Sequence, residues 1–205
     1  MNLGILGGTF DPVHCGHLAI AEEAQRQIGL EEVIFVPAGR PYFKDPLGIS
    51  PAQERLKMLE LALTETGKFK ISLLEIEREG PSYAVDTLLQ LRGQYGAGTG
   101  LYFILGWDSV MSLPLWRDPR KLLGLCRIVG APRPGFDQTD LSELEKKLPG
   151  ITGNLIILTG PYLDISSSDI RRRVRLGLPY ADMVPARVSE YIRKKNLYRQ
   201  AGVAS

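Results

Sequence analysis

Residues 7–17 read Gly7-Gly8-Thr9-Phe10-Asp11-Pro12-Val13-His14-Cys15-Gly16-His17 and follow the apolar run Leu3-Gly4-Ile5-Leu6. An apolar strand that enters a glycine-rich turn and then a helix is the entry unit of an α/β sheet. Glycine at 7, 8 and 16 lets the backbone take a left-handed φ and approach a ligand closely. Leu18, Ala21, Ala24 and Ile28 recur on one helical face, and Gly29 follows as a cap. His17 therefore falls in the first turn of that helix. The turn holds both histidines of the 205-residue chain. The first amides of a helix and the positive end of its dipole favour an anion, so two imidazoles three positions apart at that end mark a phosphate site.

Outward from this unit, strand-like runs at Val33-Val36, Phe69-Leu74, Leu101-Leu105, Cys126-Ala131 and Leu155-Leu158 alternate with amphipathic stretches. The alternation predicts an α/β fold: a Rossmann-like, doubly wound parallel sheet with helices on both faces and a small helical part at the carboxyl end. Residues 1–205 read as one domain, with 166–205 as the helical subregion. Ser50-Pro51-Ala52-Gln53 has a capping-box pattern with proline at the first helical position, and Ser82 precedes a helix from Tyr83 to Leu91. Gly96 to Gly100 opens no helix, so it is a turn and not a dinucleotide fingerprint. In a parallel sheet, ligands collect beyond the carboxyl ends of the strands. The distinctive polar motifs all follow such ends: His14 and His17, Lys44, Gly106-Trp107-Asp108, Arg133, and Ser166 to Arg171.

With 44% hydrophobic residues the chain can bury a full core, and a net charge of +2 is too mild for a surface that coats nucleic acid. Arg171, Arg172, Arg173 and Arg175 form the dense basic cluster, without the interleaved aromatics of an RNA surface. No apolar run approaches a membrane span and no leader is evident, so the reading is cytoplasmic, with neither membrane nor nucleic acid as partner. Cys15 and Cys126 make no disulfide framework, and His14-Cys15-His17 lacks a fourth metal ligand. No side-chain metal site is therefore expected. A P-loop and a Gly-x-Ser-x-Gly elbow are both absent.

A second phosphate motif lies near the other end. Ile165-Ser166-Ser167-Ser168-Asp169-Ile170-Arg171 has serine caps, a Ser-x-x-Asp box and an arginine in the first turn. Hydroxyls, first amides and a guanidinium at one helix start make a phosphate cradle, although the same residues also describe an ordinary capped helix with a solvated face. Together, the histidine turn and Ile165-Ser166-Ser167-Ser168-x-Ile170-Arg171 resemble the paired signatures of the nucleotidyltransferase superfamily related to class I tRNA synthetases. More narrowly, the chain resembles the bacterial nicotinate-nucleotide adenylyltransferases. The likeness takes in Pro37 to Lys44, Ser82-Tyr83 with Asp86-Thr87-Leu88, Gly106-x-Asp108 with Trp116, Arg133-Pro134-Gly135, and Pro185 with Val188, Tyr191-Ile192, Leu197 and Tyr198. It departs at Pro41-Tyr42-Phe43-Lys44, where the family often has Pro-Pro-His-Lys, and at Ala84, where threonine is common.

The resemblance implies that ATP and nicotinate mononucleotide, with magnesium carried on the ATP, give nicotinate adenine dinucleotide and pyrophosphate. It implies catalytic roles for His14, His17, Lys44 and Arg171, and ATP contacts from Gly7, Gly8, Thr9, Phe10, Gly16, Gly106, Asp108, Ile165, Ser166 and Ser167. Acceptor contacts fall to Asp11, Tyr83, Ala84, Thr87, Trp107, Trp116 and Arg133. Read on their own residues, Asp108 either meets ribose hydroxyls or caps a helix, and Trp116 either faces a nicotinate ring or packs half-buried. Nicotinamide mononucleotide or phosphopantetheine as acceptor, and a non-catalytic nucleotide sensor, are the competing readings. Oligomeric state is open, a homo-oligomer included.

Overall fold

Apolar runs that do not alternate with polar residues build strands covered on both faces. The computed structural model of the chain describes residues 1–41, 48–132, 140–160 and 163–199. Strand β1 (Asn2–Gly8) precedes helix α1 (Cys15–Ile28), and β2 (Glu32–Pro37) precedes α2 (Ala52–Thr66). Then β3 (Lys70–Ile71) is followed by α3 (Leu74–Glu77) and α4 (Ala84–Tyr95). Strand β4 (Gly100–Gly106) runs directly into α5 (Trp107–Ser112), a 3-10 turn at Leu113–Leu115 and α6 (Pro119–Leu125). Strand β5 (Arg127–Ala131) precedes α7 (Ser142–Lys147) and α8 (Ile151–Asn154), and β6 (Leu155–Ile157) precedes α9 (Ser167–Leu176) and α10 (Ala186–Lys194).

Among the described residues the sheet order is β3-β2-β1-β4-β5-β6, every neighbouring pair parallel. The order reverses between β1 and β4, and that switch point opens a crevice at the carboxyl ends of the two strands. Successive residues of one strand feed opposite cores. Leu3 and Ile5 of β1, Ile34 and Val36 of β2, and Leu101, Phe103 and Leu105 of β4 pack on the α4 side. Leu6, Val33, Phe35 and Ile104 pack on the other, with Ala21 and Ala24 of α1, Met58 and Leu59 of α2, Ile170 of α9 and Val188 of α10. The doubly wound, Rossmann-like sheet is thus the one the sequence predicts. No helix among the described residues is long and apolar enough to cross a membrane.

Three local expectations are corrected. The strand predicted over Phe69-Leu74 shrinks to Lys70–Ile71, because Leu73 already caps α3 and the edge position leaves β3 only one neighbour to pair with. Ser50 forms no capping box: Pro51 is the N-cap of α2, and the Ser50 amide turns away to donate to Asp11 Oδ2 at 3.1 Å. Ser82 does not cap α4 either, since Tyr83 takes that position and Ser82 Oγ accepts the Gly39 amide at 3.1 Å. Helix α1, in contrast, begins at Cys15, places His17 in its first turn and ends on Gly29 at φ 71°.

Helix α10 is fastened to α2 by Tyr191, whose hydroxyl donates to Glu54 Oε2 at 2.8 Å. Burial first, and the Glu54 carboxylate second, push this phenol from 10.0 up to about 12. A raised folded-state pKa contributes stability that is present below the unfolded value and lost as pH climbs through the folded one. Tyr191→Phe is expected to flatten part of the alkaline stability loss between pH 10 and about 12. Urea midpoints of both proteins across that window check it, and parallel curves count against the linkage.

Candidate active site

The turn after β1 is held by an aromatic. Phe10 has φ 51°, a left-handed conformation that is strained for a bulky side chain, and its ring is 1% exposed. The ring packs on Phe35 at 5.6 Å between centroids and meets the His17 ring edge-on at 5.0 Å. The glycines nearby serve this packing. A Cβ on Gly8 would stand 2.9 Å from the Phe10 ring, and one on Gly16 would stand 3.0 Å from His14 Nδ1. None of Gly7, Gly8 and Gly16 takes a left-handed φ, which corrects the expected reason for them. The close approach seen at Gly8 and Gly16 is that of the protein's own rings.

His14 is the N-cap of α1, and its amide donates to His17 Nδ1 at 3.2 Å. The two rings stack with centroids 3.6 Å apart and planes 25° apart. An Nδ1 that accepts a backbone hydrogen bond puts the ring proton on Nε2.

The two ends of the chain are sewn together at this turn. Ser167 Oγ donates to the Pro12 carbonyl at 2.9 Å, and Arg171 Nη1 donates to the Asp11 carbonyl at 2.7 Å. Ser166 is the N-cap of α9 and its Oγ accepts the Asp169 amide at 3.1 Å. Only half of the Ser-x-x-Asp box forms, because the Asp169 carboxylate goes to Arg172 and Arg173. Behind the turn, Asp11 is 1% exposed, and its Oδ1 accepts the Tyr198 hydroxyl at 2.7 Å. Burial, with Asp11 next, pushes the Tyr198 phenol well above its ordinary range. Arg55 of α2, also 1% exposed, donates to the carbonyls of Thr9, Ser50 and Gly39 at 2.8, 3.0 and 3.1 Å.

A cavity of about 850 Å³ opens at the strand ends, within the usual range of ligand pockets. Of the expected phosphate-side residues, Gly7, Gly8, Thr9, Phe10, His14, Gly16, His17, Ile165, Ser166 and Ser167 line it. Gly106 and Asp108 line it from β4 and α5; Gly106 takes the N-cap of α5, so Asp108 is not a cap. Tyr83, Ala84 and Trp116 form a further wall, with the Trp116 Nε1 donating to Ser112 Oγ at 3.1 Å.

Four expected residues are not on the wall. Trp107, 1% exposed, turns inward from the start of α5, and a Cβ on Gly130 would meet its ring at 3.2 Å. Thr87, 2% exposed, donates to Glu75 Oε1 at 2.6 Å from the buried face of α4. Asp11 and Arg171 stand behind the turn in the contacts given above. The structure places these four off the cavity wall, in packing and hydrogen bonds beneath it. Lys44 and Arg133, like the Tyr42-Phe43 departure, lie outside the described residues.

The sequence gives no site role to Glu75, Ser82 or Arg117, which also line the cavity. Burial pushes the Glu75 carboxyl above the usual range, against the Thr87 and Ser82 hydroxyls. Among the described residues no group of three or more His, Cys, Asp or Glu could hold a metal ion.

Comparison with known proteins adds the following. The family model described as cytidylyltransferase-like matches residues 5–173. A protein of Dehalococcoides mccartyi named probable nicotinate-nucleotide adenylyltransferase is 48% identical over 198 residues, covering 97% of each chain. One of the same name from Moorella thermoacetica is 43% identical over 199 residues, covering 96% of this chain and 91% of its own. Among solved structures, Plasmodium falciparum nicotinic acid mononucleotide adenylyltransferase complexed with NaAD superposes with a TM-score of 0.77 at 24% identity, covering 96% of this chain and 97% of that one. At that identity the superposition speaks for the fold.

Proposed function

The chain belongs to the cytidylyltransferase-like family and, within it, to the nicotinate-nucleotide adenylyltransferases, and from that premise we propose how its cavity works. The enzyme joins the AMP moiety of ATP to nicotinate mononucleotide, giving nicotinate adenine dinucleotide and pyrophosphate. One observation carries the site assignment: the histidine turn and the start of α9, 155 residues apart at the Ser167 to Pro12 bond, line one cavity.

A phosphate oxygen of the mononucleotide attacks the α-phosphorus of ATP, and the bond from that phosphorus to the bridging oxygen of the leaving pyrophosphate breaks. The attacking oxygen is already anionic near neutral pH, so no strong base is needed. Alignment and charge stabilisation supply the rate, and holding two reactants in line is worth roughly 7 to 11 kcal/mol in favourable cases. His17 Nε2 and His14 donate to phosphate oxygens as charge moves toward the leaving group. The first amides of α9 and the Ser166 hydroxyl hold the outer phosphates. Gly106 permits close approach by the adenosine, and Asp108 accepts from ribose hydroxyls.

Phosphate-binding donors without a cluster of three or more His, Cys, Asp or Glu among the described residues fit a magnesium ion that would arrive on the triphosphate, since such an ion needs no dedicated protein cage. His14, His17 and Ser166, which hold the phosphates, would hold it together with them. The chemistry it would supply when bound is neutralisation of phosphate charge.

Incubation with ATP and either nicotinate or nicotinamide mononucleotide, with pyrophosphate as the readout, tests the activity. Formation of the acid dinucleotide is expected, and equal or greater use of the amide overturns the acceptor choice. Arg171 supports the phosphate site by holding the Asp11 carbonyl. Arg171→Ala is expected to raise the KM for ATP by roughly tenfold, the scale of one charge-assisted hydrogen bond. An unchanged KM for ATP speaks against that support.

A further inference from the structure

A turn that carries two reactive rings has to be held from the side away from the substrate, since a displacement of about 1 Å can cost a hundredfold in rate. In the histidine turn the holding atoms are the carbonyls of Thr9, Asp11 and Pro12 and the Asp11 carboxylate. Arg55, Arg171 and Ser167 donate to the three carbonyls. The carboxylate, 1% exposed and off the cavity wall, accepts the Tyr198 hydroxyl on Oδ1 at 2.7 Å and the Ser50 amide on Oδ2 at 3.1 Å. Tyr198 lies in the turn that follows α10, 187 residues from Asp11. That turn is strained. Asn196 and Tyr198 take left-handed φ angles of 51° and 65°, a conformation that persists in a bulky residue only where its surroundings impose it and that concentrates at functional positions. The amides of Lys195, Asn196 and Leu197 donate to the carbonyls of Tyr191, Arg193 and Ile192, winding the chain back on α10. The Tyr198 hydroxyl also lies 3.8 Å from Met58 Sδ of α2.

Resting on the reading above, we infer that Tyr198 is a positioning residue for the adenylyl transfer: through the Asp11 carboxylate it holds the histidine turn so that His14 and His17 meet the phosphates in register. A hydroxyl on a buried carboxylate makes a charge-assisted bond, the strong class, and here its far end is fixed by the turn after α10. From Asp11 the chain runs through Pro12 and the fully buried Val13 to His14, the N-cap of α1, whose amide orients the His17 ring. A shift at Asp11 is therefore carried to both imidazoles. Arg171 is part of α9, so its loss also reaches the amides that hold the outer phosphates. The Tyr198 bond bears on the turn itself, and its effect falls on kcat.

Tyr198→Phe keeps the ring and deletes the donor. It is expected to lower kcat about tenfold, a fraction of the penalty for a full displacement, with KM for ATP and for the mononucleotide within about twofold of wild type. In a His17→Ala background the same substitution is expected to lower kcat less than about threefold, because a group it positions is already gone. An unchanged kcat, or an equal loss in both backgrounds, overturns the inference and leaves the proposed activity standing. The chain has two histidines, so imidazole nitrogen NMR of the substrate-free protein, above the ordinary imidazole pKa, reads them without turnover. The Nε2–H tautomer of His17 is expected in the wild type and tautomer-averaged shifts in Tyr198→Phe; identical spectra overturn the inference. If the wild type makes no dinucleotide, the proposed activity fails, and the spectra alone decide Tyr198. If Tyr198→Phe does not fold, Asp11→Asn takes its place in both measurements, and a wild-type kcat and spectrum overturn the inference.

Discussion

His17→Ala is expected to lower kcat by roughly a hundredfold to a thousandfold, the range for removing one preorganised donor from developing charge. The structure says why this ring should matter more in the transition state than in the ground state. Its Nδ1 is occupied by the His14 amide at 3.2 Å and its ring is braced by Phe10 at 5.0 Å, so the Nε2 proton is held in place before substrate arrives. A donor fixed in advance costs no reorganisation when charge shifts toward pyrophosphate. KM for the mononucleotide should therefore change little. The same substitution removes a helix-capping acceptor, which costs about 1 kcal/mol and a thermal midpoint shift of about 2–4 °C for a chain of this size. Steady-state pyrophosphate release and a melting curve on one preparation separate the two effects. Near-normal kcat with that small shift in midpoint would remove His17 from the chemistry.

The residues that could be read in advance are those whose signal is local. An apolar run, a glycine turn and one-face spacing lie within Leu3 to Gly29, and they foretold β1, α1 and the position of His17. The joining of that turn to α9 was legible only through resemblance, since nothing within 165–171 says that Ser167 reaches Pro12. Misreadings share one physical cause: a sequence gives the residue type and not the side on which it lands. Trp107 and Thr87 follow promising signals, yet the first turns of α5 and α4 place both on buried faces. Arg117 and Glu75 look like ordinary solvated charges in polar stretches. Gly8 and Gly16 were rightly noticed for a turn, but the demand on them comes from two rings and not from φ.

Arg55 was the least visible of all, a charged residue in the run Glu54-Arg55-Leu56-Lys57 of an amphipathic helix. In the fold it is 1% exposed, and its guanidinium gathers the carbonyls of Thr9, Ser50 and Gly39, tying the histidine turn to the segment after β2 and the start of α2. Burial pushes its pKa down, and the Asp11 carboxylate offsets this by favouring the charged form. Arg55→Met keeps much of the apolar volume while deleting every donor. Three carbonyls then lose their partner and Asp11 loses its neighbouring positive charge, leaving the Tyr198 hydroxyl and the Ser50 amide to satisfy it. Breaking a buried charge network from one side costs about 3–5 kcal/mol, more than any surface ion pair in this chain can recover. A fall in thermal midpoint of roughly 10 °C follows from about 2–4 °C per kcal/mol at this size. Because Thr9 O is among the freed carbonyls, the surviving folded fraction should also bind ATP more weakly, and calorimetry below the lowered midpoint reads that separately. Urea denaturation showing a loss under about 1 kcal/mol would mean that water replaces the guanidinium, and that the histidine turn is held by Phe10 and the α9 bonds without it.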